Sequence, residues 1–558
     1  MTEVSIPEIK KHYVTNGLNQ FHYRHSGKGP ILILLHSLPR SSEDLNGIVL
    51  KLNKYFTVIA PDLPGYGLTR IQNISKYDYN TYTSFLDEFI KCLNIKNVSI
   101  YGEQYGASLG LNFAIKNPSK VKSIIINNLK HSGDVQSQYK NFQLSWDGSH
   151  LTWLWSFLRE QEVFSPWNKP NLKNRLNRDM PTEYELHRLC IQFLNSGEQG
   201  VGYEKGIFEL NNINITRCIN ALNCPLLILS EALDNDIQEL KIEQTNENIS
   251  IKEYKKNDYS KDIINFFKEH HAYHENFNPP ETKLIPGRLT HDYIEVNGGQ
   301  LHFHKNEDVK SIPTLIQHDA ASAITTVQSI TESLIGHKSV FSFDMPGSGN
   351  SDRIIPEENV DVFNYAQVLS DALINVGVTE IDFYGMWGGG FVGSEMYLQT
   401  KTKVRRLALS NVFDHQGHEL NEMIENYTPD VSPLWHGGHL QQCWHQMRDQ
   451  GTFYPWFKNK KTNIIWREPH LETKMVHGRV CTLLKAGNMY ATAYKSHFKY
   501  ETLEKLSKIN VPLLLATCDW DPNNLHTKDL AKNIPNCTLY KLNEDFSKWG
   551  LGLLPFFK

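Results

Sequence analysis

The chain contains the same ordered set of sequence segments twice. Asn16-Gly17-Leu18-Asn19-Gln20-Phe21-His22-Tyr23 returns as Asn297-Gly298-Gly299-Gln300-Leu301-His302-Phe303. Asp62-Leu63-Pro64-Gly65-Tyr66-Gly67-Leu68-Thr69 returns as Asp344-Met345-Pro346-Gly347-Ser348-Gly349-Asn350-Ser351. Gly148, His150, Leu151, Trp155, Arg159, Gln161, Phe164, Pro166 and Trp167 return without a gap as Gly437, His439, Leu440, Trp444, Arg448, Gln450, Phe453, Pro455 and Trp456. A chain of 558 residues exceeds the roughly 250–300 residues at which one core stops growing, so a duplicated domain is the economical reading. We place the first copy at 1–268, a linker rich in His, Asn and Pro at 269–289, and the second copy at 290–558.

Within each copy, short apolar runs alternate with longer segments of helical pattern. In the first copy the runs are Ile31–His36, Phe56–Ala60, Val98–Tyr101, Ser123–Asn127 and Leu226–Ser230. In the second they are Thr314–Gln317, Ser339–Phe343, Ile381–Tyr384, Leu407–Asn411 and Leu513–Thr517. Runs that are apolar at every position predict strands covered on both faces, and their alternation with helices predicts a mostly parallel α/β sheet flanked by helices. The expected architecture is two tandem domains of this class. Each carries a Trp-rich helical insertion, at about 130–222 and 413–508, that would form a lid.

One turn recurs in both copies: Tyr101-Gly102-Glu103-Gln104-Tyr105-Gly106 and Tyr384-Gly385-Met386-Trp387-Gly388-Gly389. A strand, a sharp Gly-x-x-x-Gly turn and a helix lift the central residue above the sheet. Together with His36-Ser37-Leu38-Pro39, which is similar to a His-Gly-x-Pro turn, and the two Asp-x-Pro-Gly-x-Gly segments, this set resembles the α/β-hydrolase superfamily over nearly the whole of both halves. His318-Asp319-Ala320-Ala321 is a weaker version of the His-Gly-x-Pro turn. The resemblance implies an oxyanion turn at His36-Ser37-Leu38-Pro39, whose backbone N–H would act with the N–H following the nucleophile, and a nucleophile at 104 and 387. Those positions hold Gln104 and Trp387, and a carboxamide or an indole is no acyl nucleophile. The resemblance also implies a late His after the last strand. Glu253–Asp258 and Lys541–Asp545 hold none, so both triads read as degenerate. The acid positions offer Asp234 or Asp236, and Asp519 or Asp521, either as relict acids or as ordinary turn residues. Gly106-Ala107-Ser108-Leu109-Gly110 spells a G-x-S-x-G but lies one turn too late, inside the expected helix, so Ser108 reads as structural.

Candidate catalytic residues are therefore Gln104, Glu103, His36, His150 and Arg159. Glu103 would be a base of raised pKa, and His36 a base or a support of its turn. His150 and Arg159 would be an acid–base group and an anion clamp, or else a helix cap and a tie from lid to core. Candidate substrate contacts are Ser37, Tyr105, Trp155, Trp167, Trp387, His439 and Arg448. The aromatic members line a pocket in one reading and pack lid on core in the other. Trp387 is large enough to fill the space of an acyl group, which makes the first copy the working half.

Three functions follow as expectations. The first is a non-serine enzyme of lyase, decarboxylase, cyclase or cofactor-free oxygenase type acting on a small organic acid or ketone. The second is a pseudoenzyme that binds a ligand or partner. The third is an esterase-like hydrolase with a displaced nucleophile. No HExxH, CxxC or first-strand GxGxxG occurs, so neither metal nor cofactor is expected. A net charge of −4 without long basic runs gives no reason to expect nucleic acid or membrane partners. No apolar run reaches the roughly 18–20 residues of a membrane span. The eight scattered cysteines read as free thiols, and a cytoplasmic location is expected. The expected partners are a small molecule and, as an intramolecular pseudo-dimer, the other half of the chain.

Overall fold

The structure is a computed structural model of the full chain. It describes all residues except 1–7, 73–77, 130–141, 197–214, 232–247, 255–258 and 272–275. Asp234 and Asp236 lie outside the described residues, as does most of 253–258.

Each half builds one eight-stranded sheet. The first contains β1 (Lys10–Asn16), β2 (Asn19–Ser26), β3 (Ile31–Leu35), β4 (Thr57–Pro61), β5 (Val98–Glu103), β6 (Val121–Asn127), β7 (Leu226–Glu231) and β8 (Ile249–Tyr254). The second contains β9 (Thr290–Val296), β10 (Gly299–Asn306), β11 (Thr314–Gln317), β12 (Val340–Phe343), β13 (Glu380–Met386), β14 (Lys403–Ser410), β15 (Leu513–Thr517) and β16 (Cys537–Lys541). The spatial order is β1-β2-β4-β3-β5-β6-β7-β8 in one sheet and β9-β10-β12-β11-β13-β14-β15-β16 in the other, the same crossover pattern twice. The first two strands of each sheet pair antiparallel, and the rest run parallel from β3 and β11 onward. All five residues of β3 and of β4 are buried, as continuous apolar runs covered on both faces require. The two tandem, mostly parallel α/β sheets expected from the repeat are present.

The repeated Asp-x-Pro-Gly segment locks the second strand of each sheet in place. Asp62 receives His22 Nδ1 at 2.7 Å, the Ser42 amide at 2.7 Å and the Leu68 amide at 2.8 Å. Asp344 receives His302 Nδ1 at 2.7 Å, the Ile324 amide at 2.8 Å and the Asn350 amide at 3.0 Å. Burial alone would raise the Asp344 carboxyl, but these donors outweigh it and hold the group at about 2. The motif therefore ties β2 and β10, the second strand of each sheet, to the loops that flank Asp62 and Asp344.

The described chain divides into two compact units. One is 8–143 with 185–283, and the other is 284–558 with 144–184. The sequence places 144–184 in the first copy, whereas its contacts group it with the second. The reason is visible in the helix Ser149–Gln161, which packs against its own counterpart, Gly438–Asp449, in a reciprocal fashion. A Cβ on Gly148 would lie 2.5 Å from the Trp444 ring, and one on Gly437 would lie 2.6 Å from the Trp155 ring. His150 meets the edge of Trp444, and His439 the edge of Trp155, each with 5.1 Å between ring centroids. Arg159 lies over Trp435 at 4.4 Å, and Arg448 over Trp146 at 5.7 Å. The duplicated Trp-x-Gly-x-His-Leu-x3-Trp-x3-Arg pattern is thus the two sides of one contact. No helix among the described residues is long and apolar enough to cross a membrane.

Candidate active site

Both sharp turns have the backbone the sequence predicts. Gln104 stands at φ 48°, ψ −110° and Trp387 at φ 50°, ψ −129°, a conformation that costs a non-glycine residue about 1–3 kcal/mol. The flanking glycines make it feasible. A Cβ on Gly102 would lie 2.5 Å from the Gly106 carbonyl, and one on Gly106 would lie 2.3 Å from the Leu35 carbonyl. In the second half a Cβ on Gly385 would lie 2.6 Å from the Gly389 carbonyl, and one on Gly389 would lie 2.4 Å from the His318 carbonyl. A helix begins directly after each turn, at Tyr105 and at Gly388. Ser108 is buried within the first of these helices, its amide bonded to the Gln104 carbonyl at 3.3 Å.

In the first half, the Ser37 hydroxyl donates to Gln104 Oε1 at 2.6 Å. This engages the acceptor of the carboxamide and leaves its NH2 group as the polar face it can offer. Tyr105 is 5% exposed and packs in the core below the turn. His36 is fully buried and makes a hydrogen bond through each ring nitrogen. Nε2 accepts from the Leu63 amide at 2.9 Å, and Nδ1 then donates to the Ser37 carbonyl at 2.9 Å. Burial pushes its pKa down, so it is a neutral strut of the turn. Glu103 accepts from the Tyr101 hydroxyl at 2.6 Å, in a cluster that continues through Asn127 to Tyr254. Burial raises its pKa, opposed by the Tyr101 hydrogen bond.

In the second half, the position of Ser37 is taken by Asp319. Its Oδ1 accepts from the Gly388 amide at 3.0 Å and lies 3.1 Å from His497 Nδ1. The amide after the raised residue is the donor that stabilises an oxyanion in this architecture, and here a carboxylate of the chain occupies it. A Cβ on Gly388 would lie 1.8 Å from His497 Nδ1, so the closed arrangement needs glycine where the first half has Tyr105. The Trp387 indole donates to Asp521 Oδ2 at 2.8 Å. Between the two acid candidates, Asp521 faces inward, whereas Asp519 is exposed and paired with Lys541 at 2.6 Å. Burial raises the Asp521 carboxyl to about 6 against the Trp387 hydrogen bond. Asn523 donates its amide to Asp521 at 2.8 Å and accepts from the Tyr454 hydroxyl at 2.9 Å.

The structure brings together Gln104, Ser37, Glu103, His36 and Tyr105 in one compact unit. His150, Arg159, Trp155, Trp167, His439, Arg448 and Trp387 belong to the other. His150 Nδ1 accepts from the Ser145 amide at 3.2 Å, and His439 Nδ1 from the Leu434 amide at 3.1 Å, each fastening the turn before its helix. Trp155 donates to the Trp435 carbonyl at 3.1 Å, and Trp167 packs edge-on against Phe157. His497 was not among the sequence candidates. It sits in the helix Met489–Phe498, and nothing in the sequence pairs it with position 319.

The family profile described as alpha/beta hydrolase fold matches residues 30–176. An uncharacterized hydrolase of Saccharomyces cerevisiae is 30% identical over 125 residues, 22% of this chain and 43% of the yeast protein. A haloalkane dehalogenase of Agrobacterium fabrum is 31% identical over 105 residues, 19% of this chain and 34% of that protein. A cis-3-alkyl-4-alkyloxetan-2-one decarboxylase of Shewanella oneidensis is 28% identical over 131 residues, 23% of this chain and 41% of that protein. The chain thus spans less than half the length of each of these relatives. Among solved structures, epoxide hydrolase CorEH without ligand matches 47% of this chain and 98% of its own, at 19% identity and a TM-score of 0.35.

Proposed function

The chain is a tandem member of the α/β-hydrolase superfamily, and on that premise we propose that its first half binds a small organic acid or ketone over Gln104 and acts on it without a serine triad. The observation that carries this reading is the Ser37–Gln104 hydrogen bond, 2.6 Å long. It presents amide hydrogens, not a nucleophile, at the raised position. The Gln104 NH2 group and the N-terminus of the helix Tyr105–Lys116 would stabilise negative charge developing on a bound carbonyl or carboxylate. The reaction class that needs such a floor is one through an enolate or similar anion, as in a lyase or decarboxylase. The inserted helices would serve as its lid. The halves would work as an intramolecular pseudo-dimer, a role in keeping with the reciprocal contact of the two inserted helices.

A second reading, a pseudoenzyme, draws on the second half. The Asp319 carboxylate on the Gly388 amide and the Trp387 indole on Asp521 leave that site to its own side chains. In that reading the chain binds a ligand or partner and turns nothing over.

The test is a thermal-shift panel of short carboxylates and ketones on the full chain, followed by turnover assays on those that stabilise it. Stabilisation and turnover lost in Gln104→Leu and kept in Ser108→Ala support the first reading. Stabilisation lost in Gln104→Leu without turnover in the wild type supports the second. Hydrolysis of p-nitrophenyl acetate abolished by Ser108→Ala overturns both in favour of a displaced nucleophile.

A further inference from the structure

The geometry points to a divalent transition-metal site, best suited to Zn2+, formed by His415, Glu419 and His526 in the second half. The three residues come from two loop–helix junctions at the carboxyl ends of neighbouring parallel strands. His415 follows β14 and Glu419 opens the helix Gly417–Asn426, while His526 lies in the helix Asn524–Asn533 after β15. One ligand atom of each lies within 4.8 Å of the others. Glu419 Oε1 is 3.1 Å from His415 Nδ1 and 3.5 Å from His526 Nε2. Bonds of about 2.0–2.1 Å in a tetrahedron put neighbouring ligand atoms about 3.3 Å apart, so these separations already have the right scale.

The second observation is the state of His415. Its side chain is fully buried, and Nδ1 has no hydrogen-bond partner despite its closeness to the carboxylate. The other nitrogen explains why. The Tyr454 hydroxyl gives its hydrogen to Asn523 Oδ1 at 2.9 Å, so its oxygen is left to accept from His415 Nε2–H at 3.4 Å. That assigns the hydrogen of the neutral ring to Nε2 and leaves the buried Nδ1 lone pair without a donor, with the Glu419 carboxylate beside it and off the ring's in-plane direction. A buried imidazole lone pair with no donor, 3.1 Å from a carboxylate oxygen, is an arrangement that one cation bound to both would satisfy. Donation of the remote ring N–H to a fixed partner is also how metal-bound histidines are oriented. Phe413 stacks on the His415 ring with centroids 4.8 Å apart and holds the plane. Two imidazoles and one carboxylate are a donor set for Zn2+, and the half-exposed Glu419 leaves a fourth position for water. No short sequence spacing joins 415 and 419 to 526, which is why motif reading does not find the set.

The test uses the EDTA-treated full chain titrated with Zn2+ alone by calorimetry, with Co2+ as a spectroscopic probe of tetrahedral coordination. One Zn2+ per chain is expected. His526→Gln and Glu419→Gln alter partly exposed side chains, and circular dichroism verifies that the variants fold. Each is expected to weaken binding by about 100-fold or more, at least the loss that removing a supporting partner causes. His418→Ala changes an exposed neighbour paired with Glu422 and is expected to bind like the wild type. No Zn2+ binding by the wild type, or wild-type affinity in both His526→Gln and Glu419→Gln, overturns the site.

Discussion

The two halves share a backbone and differ in what stands at two equivalent positions. In the first, Ser37 and Gln104 bind each other and leave amide hydrogens at the raised turn. In the second, Asp319 reaches past the turn to the Gly388 amide, and Trp387 reaches across to Asp521. The same strained elbow carries a local Ser–Gln hydrogen bond in one copy and bonds to Asp319 and Asp521 in the other. The turn does not depend on which side chain it raises, because the glycines around it are required by backbone contacts alone.

The contrast can be broken most forcefully where the copies meet through their inserted helices. Trp444 is fully buried against Gly148, and Trp444→Ala is expected to destabilise the unit containing 284–558 by about 3–5 kcal/mol, the usual cost of deleting a buried aromatic side chain. Denaturant unfolding of the full chain reads this, and a change under about 1 kcal/mol would deny that the duplicated motif builds a packed contact.

Gly388→Ala comes next. Its methyl group would meet His497 and Asp319, so a loss of about 3 kcal/mol is expected, the upper range for overpacking. A tolerated alanine would mean that the Asp319–His497 pair is loosely packed.

Asp319→Ala removes the acceptor shared by Gly388 and His497, and stranding those donors is expected to cost about 1–3 kcal/mol. Ser37→Ala is expected to cost only about 1 kcal/mol, because one net hydrogen bond is lost. Equal costs for the two substitutions would erase the difference between the copies.

The smallest effect is a titration. Asp521 is raised to about 6 by burial, above the ordinary carboxylate value, so the fold favours its protonated form. Its contribution to stability therefore rises as pH falls from about 6 toward 4 and vanishes above 6. Because Trp387 donates to this carboxyl, the fluorescence difference between the wild type and Asp521→Asn is expected to titrate near pH 6. A pH-independent difference would place Asp521 in an ordinary solvated environment.

Much of the fold is legible in the sequence because duplication prints each element twice. The apolar runs of β3, β5, β6 and β7, the two elbows and the two Asp-x-Pro-Gly locks all lie where local pattern puts them. What the side chains do is less legible. His36 reads as a candidate base until the Leu63 amide and the Ser37 carbonyl are seen to engage both its nitrogens. His150 and Arg159 look like site residues because they recur, yet each recurs with its partner Trp across the inserted-helix contact. Asp319 with His497, and Asp521 with Trp387, form two hydrogen-bonded pairs around one turn drawn from four separate segments, and no periodicity connects residues whose only relation is tertiary.

The most direct measurement is the number of carboxylate ligands bound per chain at saturation, read by calorimetry with the panel compound that stabilises the chain most. The account predicts one, lost in Gln104→Leu and unchanged in Asp319→Asn. Two per chain, or a single site lost in Trp387→Phe and kept in Gln104→Leu, would contradict it.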